Sequence, residues 1–299
     1  MGRLKRILQR LERVLELGET ALRDMASAEP GADDYERYAA FRWERRVGGG
    51  RLVATDRPVA FDLADLIGVD EPLQTFERNT RQFLAGLPFN NVLLYGERGT
   101  GKSSAVRGLL GRYGEMGLRV VELDRGDLVQ LPRVLAALRG GGDYRFLVFC
   151  DDLSFGPGEV GYRELKAALD GGLEARPDNV CIVATSNRRH LLPQSMAENR
   201  EGRLDEEGEL HLGEALEEKL ALADRFGLML GFFGFDQATY LSIVSHYLDR
   251  AGMGEMDDIM REEALRWALA RGNRSGRTAR QFVDDAVGRR KLGTQRFES

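Results

Sequence analysis

The chain has 299 residues, of which 42% are hydrophobic and 30% are charged, and its formal net charge is −5. These values are typical of a globular protein with a substantial core, and they exclude a disordered chain and a protein that coats nucleic acid through overall positive charge. No stretch approaches a run of 18 apolar residues and the basic N-terminus lacks the apolar segment of a signal peptide, so we expect a cytoplasmic protein with no membrane contact.

The first 60 residues carry helical patterns. Apolar side chains recur at helical spacing over residues 3–26 among Arg, Lys and Glu, which predicts an amphipathic helix. After a break, residues 35–46 are interpreted as a second helix and Gly48–Gly50 as a flexible joint. We therefore expect residues 1–60 to form an N-terminal helical segment and linker. Whether the first helix packs on its own domain, pairs with another copy or binds a partner is left open.

Residues 61–234 contain the strand signals. A helix over about 71–85 leads into five short apolar runs, separated by helical patterns or by connections of crossover length. The runs cover residues 92–95, 118–123, 146–150, 180–184 and 228–233. Such a pattern predicts an α/β fold of three layers, with a five-stranded parallel sheet between helices and a ligand at the carboxyl ends of the strands. Cys150 and Cys181 lie inside these runs and are expected to be buried, reduced thiols.

Residues 235–299 show no further strand signal. Helical patterns cover about 236–250, 257–271 and 277–290, which is enough for a small C-terminal helical lid. His190, His211 and His246 show no metal-ligand spacing, and no role is assigned to them.

A glycine-rich loop follows the first apolar run and fits the pattern G-x-x-x-x-G-K-[ST]. Its residues are Gly96, Glu97, Arg98, Gly99, Thr100, Gly101, Lys102 and Ser103, and Ser104 continues into a helix. The glycines allow backbone N–H groups to surround a polyphosphate, and the helix N-terminus favours the anion. Lysine is scarce, with only five in the chain, so an accidental match is rare. The loop predicts nucleotide binding, with Lys102 on the β- and γ-phosphates and Ser103 on Mg²⁺.

Two acids, Asp151 and Asp152, end the apolar run 146–150. Nucleotide hydrolases need a carboxylate at such a strand end to hold the magnesium shell, and a second one to orient or deprotonate the attacking water. The alternative is a helix cap, because Asp is also favoured there. The next run ends in Thr185, Ser186 and Asn187. The Asn187 amide could hold the water or sense the γ-phosphate, or these residues could serve only the turn.

Together these motifs resemble the AAA-type ATPases, in the branch that includes replication initiators, clamp loaders and helicase loaders. The resemblance rests on Asp65–Gly68, Gly96–Ser103, Asp151–Asp152, Thr185–Asn187, Arg225–Gly227 and Gly276–Arg280, and covers roughly residues 61–290. The segments Ser186–Pro193 and Arg277–Phe282 are also similar to an uncharacterised bacterial AAA-type family, catalogued as a domain of unknown function. The resemblance implies a P-loop NTPase fold and ATP with Mg²⁺ as ligands.

The resemblance also implies roles for single residues. Asp151 would be the metal-shell carboxylate, Asp152 the base and Asn187 the first sensor. Arg225 would be an arginine finger that acts on the nucleotide of a neighbouring subunit, which implies a homo-oligomer, although a surface ion pair with Asp224 or Glu218 is the alternative. Arg277 would be the second sensor, with Arg280 in reserve. Many members have Glu where Asp152 stands, so slow, switch-like turnover is also implied.

The partner of such an ATPase is not identified by the sequence. From Arg266 to Ser299 there are nine cations against three acids, which fits either a nucleic-acid contact or a solvated helical face. The leading hypothesis is a Mg²⁺-dependent ATPase that remodels or loads a macromolecular partner, protein or nucleic acid. The alternatives are an ATP-dependent switch that hydrolyses little, a nucleotide-stabilised scaffold and a small-molecule kinase.

Overall fold

The fold was examined in a computed structural model of the chain, which describes residues 31–46, 49–154, 160–170, 176–187 and 222–294, together with Arg10, Arg13 and the pairs 203–204 and 210–211. The helix predicted over residues 3–26 therefore lies outside the described residues, apart from the two arginines.

A seven-stranded sheet forms the centre of the molecule. Its strands are β1 (Ala40–Arg46), β2 (Gly49–Ala54), β3 (Val92–Gly96), β4 (Leu118–Glu122), β5 (Arg145–Cys150), β6 (Val180–Ser186) and β9 (Leu228–Phe232), while β7 (Arg203–Leu204) and β8 (Leu210–His211) form a separate antiparallel pair. The order across the sheet is β2-β1-β4-β5-β6-β3-β9, and all neighbours are parallel except β1 and β2. The five predicted strands are confirmed, but the predicted count of five for the sheet is wrong.

The two additional strands replace the helix and joint predicted near residues 35–50. β1 alternates buried and outward side chains, with Phe41 1% and Trp43 2% exposed, which is the period of a strand. It pairs in parallel with β4 and antiparallel with β2. Gly50 is part of β2, and a Cβ atom there would lie 2.5 Å from the Trp43 ring, so close packing requires this glycine. The helix prediction is therefore wrong for Ala40–Arg46.

Helices cover both faces of the sheet. They are α1 (Ala32–Arg37), α2 (Asp70–Leu84), α3 (Lys102–Tyr113), α4 (Leu131–Leu138), α5 (Val160–Asp170), α6 (Gln237–Arg250), α7 (Asp258–Ala270) and α8 (Gly276–Thr294). One core joins α2 and α3 to one face, and a second core joins α4 and α5 to the other. Alternate residues of β3 enter different cores, with Leu93 in one and Val92 and Leu94 in the other. The three-layer prediction is confirmed.

The C-terminal helices α6, α7 and α8 pack around a third core of their own. Asp236 and Asp257 begin α6 and α7 as caps, each accepting a backbone N–H at 2.7 Å, from Thr239 and Met260. The predicted lid helices are thus present. None of the helices in the described ranges is long and apolar enough to span a bilayer.

Candidate functional site

The glycine-rich loop joins the end of β3 to the start of α3. Gly96, Gly99 and Gly101 have φ angles of 131°, 79° and 106°, which favour glycine. A Cβ atom on Gly96 would lie 1.9 Å from the Phe232 carbonyl oxygen of β9, and one on Gly101 would lie 2.4 Å from Leu66 Cδ2. The loop therefore folds as its sequence predicts. At these three positions glycine is required, and no side chain of their own covers the main chain.

Lys102 is the first residue of α3 and is only 7% exposed. Its Nζ donates to the carbonyl oxygens of Gly96 at 2.9 Å and Glu97 at 2.6 Å, and to Asn187 Oδ1 at 3.3 Å. Burial lowers the pKa of Lys102 below its ordinary value, while Asp152 and Asp151 act in the opposite direction. All three of these partners are neutral oxygens. An anion that entered the cavity could therefore bind the Lys102 ammonium without displacing a carboxylate from these contacts.

Ser103 and Asp151 form the second part of the site. Ser103 Oγ donates to Asp151 Oδ1 at 2.7 Å, which brings the hydroxyl of α3 to the carboxylate at the end of β5. Thr185 Oγ1, on β6, donates to the same oxygen at 2.5 Å. Sequence reasoning found the three polar residues that end β6 but gave Thr185 no role of its own. The structure shows that Thr185 orients Asp151.

Among the residues that the structure describes, Asp152 is the one non-glycine residue with a positive φ angle, which is 50°. Its backbone N–H donates to Thr185 Oγ1 at 2.8 Å, and its carboxylate accepts a hydrogen bond from Asn187 Nδ2. A left-handed aspartate is a local strain that the surrounding contacts hold in place. Asp152 and Asn187 line the same cavity as the loop, and their side chains are hydrogen-bonded to each other.

The lid contributes the start of α8. The Arg277 backbone N–H donates to the Gly99 carbonyl oxygen at 3.3 Å, and a Cβ atom on Gly99 would lie 2.7 Å from Ser275 Oγ. Arg277 and Arg280 both line the cavity beside the loop. The structure thus brings the predicted second sensor and its reserve to the loop, although Arg280 also donates to Asp284 at 3.2 Å.

These elements enclose a cavity of about 780 Å³. Five cations line it against three carboxylates; the cations are Arg98, Lys102, Arg107, Arg277 and Arg280, and the acids are Asp65, Asp151 and Asp152. Leu66, Ile67 and Phe235 form part of an apolar wall. A positive cavity with an apolar end has the chemistry that a nucleoside polyphosphate requires. In the described residues, no group of three or more His, Cys, Asp or Glu side chains could hold a metal.

Asp65, which the sequence singled out only as part of the Asp65–Gly68 segment of the resemblance, connects the sheet domain to the C-terminal helices. His246 Nε2 lies 2.7 Å from Asp65 Oδ1, and Arg250 also forms an ion pair with Asp65. Both partners are on α6, about 180 residues from Asp65 in sequence. No local signal in the sequence could have predicted this contact. The sequence analysis assigned no role to His246, and the structure gives it a structural one.

Arg225 does not line the cavity. It lies before β9 and forms an ion pair with Asp170 at the end of α5, whereas the two acids considered from sequence were Asp224 and Glu218. Glu218 lies outside the described residues. Because Val92 pairs with Leu228 and Gly96 with Phe232, the loop and Arg225 lie beyond opposite ends of the paired strands. The finger role of Arg225 stays a prediction.

The basic C-terminal run is largely engaged within the lid. Arg266 pairs with Glu262 at 3.6 Å, and Arg289 with Glu263 and Asp285 at 2.9 Å each. The guanidinium of Arg271 lies over the Trp267 ring, 3.5 Å from its centroid. Among the described residues, these contacts are the pattern of a solvated helical face.

Comparison with solved structures relates the fold to RuvB. One match is the Thermotoga maritima RuvB Holliday junction branch migration motor, with 17% identity, a TM-score of 0.49 and coverage of 75% of this chain and 63% of that chain. Two variants of that RuvB, with a lysine-to-arginine and a proline-to-glycine change, give 16% and 18% identity and TM-scores of 0.52 and 0.51, each over 80% of this chain and 68% of the other. At this identity the likeness concerns the fold alone.

No curated protein matches the chain. A family model described as protein of unknown function (DUF815) matches residues 36–290. This span includes β1, β2, the loop, both acids and most of the C-terminal helices. The chain therefore belongs to the DUF815 family.

Proposed function

We propose that the protein is a Mg²⁺-dependent ATPase that couples ATP hydrolysis to the remodelling or loading of a macromolecular partner. The observation that carries the proposal is the Ser103 Oγ to Asp151 Oδ1 contact of 2.7 Å beside the buried Lys102. A hydroxyl and a carboxylate at this distance, next to a buried cation and an open main-chain loop, fit a metal–triphosphate complex. We further infer that residues 61–234 carry the nucleotide, with residues 235–299 as lid.

The residues present fit ATP and Mg²⁺ as ligands. Gly96, Gly99 and Gly101 have the positive φ angles that a phosphate-binding loop needs, and only glycine fits there because Cβ atoms would meet other atoms within 3 Å. Ser103 and Asp151 would hold Mg²⁺, with phosphate oxygens and water completing the six oxygen ligands that the ion prefers. When bound, Mg²⁺ neutralises charge on the phosphates. In this proposal Asp152 accepts the proton of the attacking water and Asn187 orients that water.

Metal dependence tests the proposal most directly. Ser103→Ala should weaken ATP binding by about tenfold in the presence of Mg²⁺, the effect of losing one ligand of a bound ion, and should leave binding in EDTA unchanged. Ser242→Ala is the matched control, because that hydroxyl bonds only the Ala238 carbonyl on the exposed face of α6 among the contacts described. Equal ATP affinity of wild type with Mg²⁺ and with EDTA, measured by calorimetry, would contradict the proposal.

A second candidate is an ATP-dependent switch that hydrolyses little. Asp152 favours it, because this carboxylate is one methylene shorter than Glu and is held by Asn187. The two candidates differ in a single-turnover experiment: the switch retains bound ATP long after mixing, whereas the ATPase releases phosphate.

The partner and the assembly also belong to the proposal. A homo-oligomer is supported by the fold and by the position of Arg225 away from the loop of its own chain. For this chain the partner is a protein or a nucleic acid. A pull-down with Asp152→Asn protein and ATP, compared with wild type, would identify what a stalled complex retains.

A further inference from the structure

Arg98 stands beside the candidate base at the mouth of the cavity. Its guanidinium Nη2 lies 4.0 Å from Asp152 Oδ2, and both side chains are exposed, at 77% and 61%. Among the residues that the structure describes, the acid within ion-pair distance of Arg98 is Asp152. The loop pattern leaves this position open to any residue, so the motif itself does not explain an arginine here.

We propose that Arg98 reads the terminal phosphate of the bound triphosphate and thereby distinguishes ATP from ADP. The inference rests on the proposed function, since it concerns a nucleotide held by the same loop. In it, Arg98 exchanges its contact with Asp152 for a contact with the terminal phosphate when ATP binds.

Three observations support the exchange. The Arg98–Asp152 contact is long and exposed, and such ion pairs contribute little to stability. The electrostatic influence of Arg98 reaches Lys102, because Arg98 is among the cations that lower the pKa of the Lys102 ammonium. Arg98 and Lys102 also line the same cavity. A phosphate with two charges and several acceptor oxygens binds a planar guanidinium better than one distant carboxylate does.

The exchange has a consequence for Asp152. Asn187 and Arg98 contact different carboxylate oxygens of Asp152, Oδ1 and Oδ2 respectively. Movement of Arg98 to the phosphate frees Oδ2 to accept a proton from water. ADP lacks the terminal phosphate and would leave Arg98 on Asp152. Arg98 is thus a specificity-determining residue for the nucleotide state.

Calorimetric titration of ADP and of a non-hydrolysable ATP analogue tests this inference on the full chain with Mg²⁺. Arg98→Ala should weaken binding of the analogue by about tenfold, as expected when one charge-assisted hydrogen bond is lost, and should change ADP affinity less than about twofold. Arg98→Lys keeps the charge without the planar fork and should give an intermediate loss. The matched control is Arg112→Ala on α3, which removes a 45% exposed arginine paired with Glu77 at 2.7 Å, away from the cavity lining.

The outcomes separate the inference from the proposed function. If Arg98→Ala weakens both nucleotides equally, or neither, Arg98 does not read the terminal phosphate, although the protein remains a nucleotide-binding protein. Circular dichroism of the nucleotide-free variant checks that it folds, and Arg98→Lys supplies the comparison if it does not. If wild type binds neither nucleotide, the proposed function itself is refuted.

Discussion

The position of Arg225 makes a quantitative prediction about assembly. Leu228 and Phe232 are four residues apart on β9 and pair with Val92 and Gly96. At roughly 3.3 Å per residue, these four steps separate the two strand ends by about 13 Å, and Arg225 lies three residues before Leu228, on the side away from the loop. Its guanidinium is also paired with Asp170. Arg225 therefore cannot serve the phosphates held by its own loop, and any contribution to hydrolysis must come from a neighbouring subunit.

Mixing two inactive variants tests this reasoning. Arg225→Ala should lower kcat by about 10³-fold with ATP affinity retained, as expected of an arginine finger, and Lys102→Ala should lose ATP binding. In a random equal mixture, an interface is active when the Arg225→Ala subunit supplies the nucleotide site and the Lys102→Ala subunit supplies Arg225. About a quarter of the interfaces have this arrangement, so the steady-state rate should recover to about a quarter of the wild-type rate.

The control is Asp170→Asn, which removes the acid beside Arg225 and leaves the arginine in place. This variant should hydrolyse ATP at least as fast as wild type, because the finger no longer has to leave an ion pair. If the mixture shows no recovery although the subunits exchange, or if the wild-type rate per subunit does not depend on protein concentration, the intersubunit role of Arg225 is refuted.

Four further predictions concern stability and the site. Saturating Mg²⁺-ATP at 100 times Kd should stabilise wild type by about 2.7 kcal/mol and raise Tm by roughly 4 °C, with no rise in Lys102→Ala; an equal rise in the variant would show that Lys102 is not needed. Asp152→Asn should bind ATP with at least wild-type affinity while phosphate release falls by about 10²-fold or more, and a normal rate would remove Asp152 as base. Trp43→Ala should lower the free energy of unfolding in urea by about 3–5 kcal/mol, whereas a loss below about 1 kcal/mol would mean that β1 is not part of the core. Burial raises the pKa of Cys150 and of Cys181 to about 12, so both thiols stay neutral at pH 8.5 and should react with iodoacetamide only after unfolding; rapid labelling of the native protein would contradict their burial.

Local patterns determined most of what could be predicted. The five parallel strands carry continuous apolar runs because both faces of the sheet are covered by helices. The loop could be predicted because its glycines, lysine and serine occur at fixed spacing between a strand and a helix. Asp151 and Asn187 followed from their position after two strands, since carboxyl ends of parallel strands meet at one edge.

The errors have equally local causes. Residues 40–46 combine two aromatic residues with four charged ones, and the charges suggested a solvated helix, although alternation of Phe41 and Trp43 was the signal for a strand. Adjacent glycines suggested a joint, whereas Gly50 is required by contact with Trp43. The Asp65–His246 contact joins residues 181 positions apart, and such a pairing has no signature in a single sequence.

The main-chain contact between Gly99 and Arg277 has a mechanical consequence. The first turn of α8 rests on the phosphate loop, with no room for even a methyl group on Gly99. The C-terminal helices and the glycine-rich loop are therefore in direct contact, so the position of the loop backbone depends on the position of these helices.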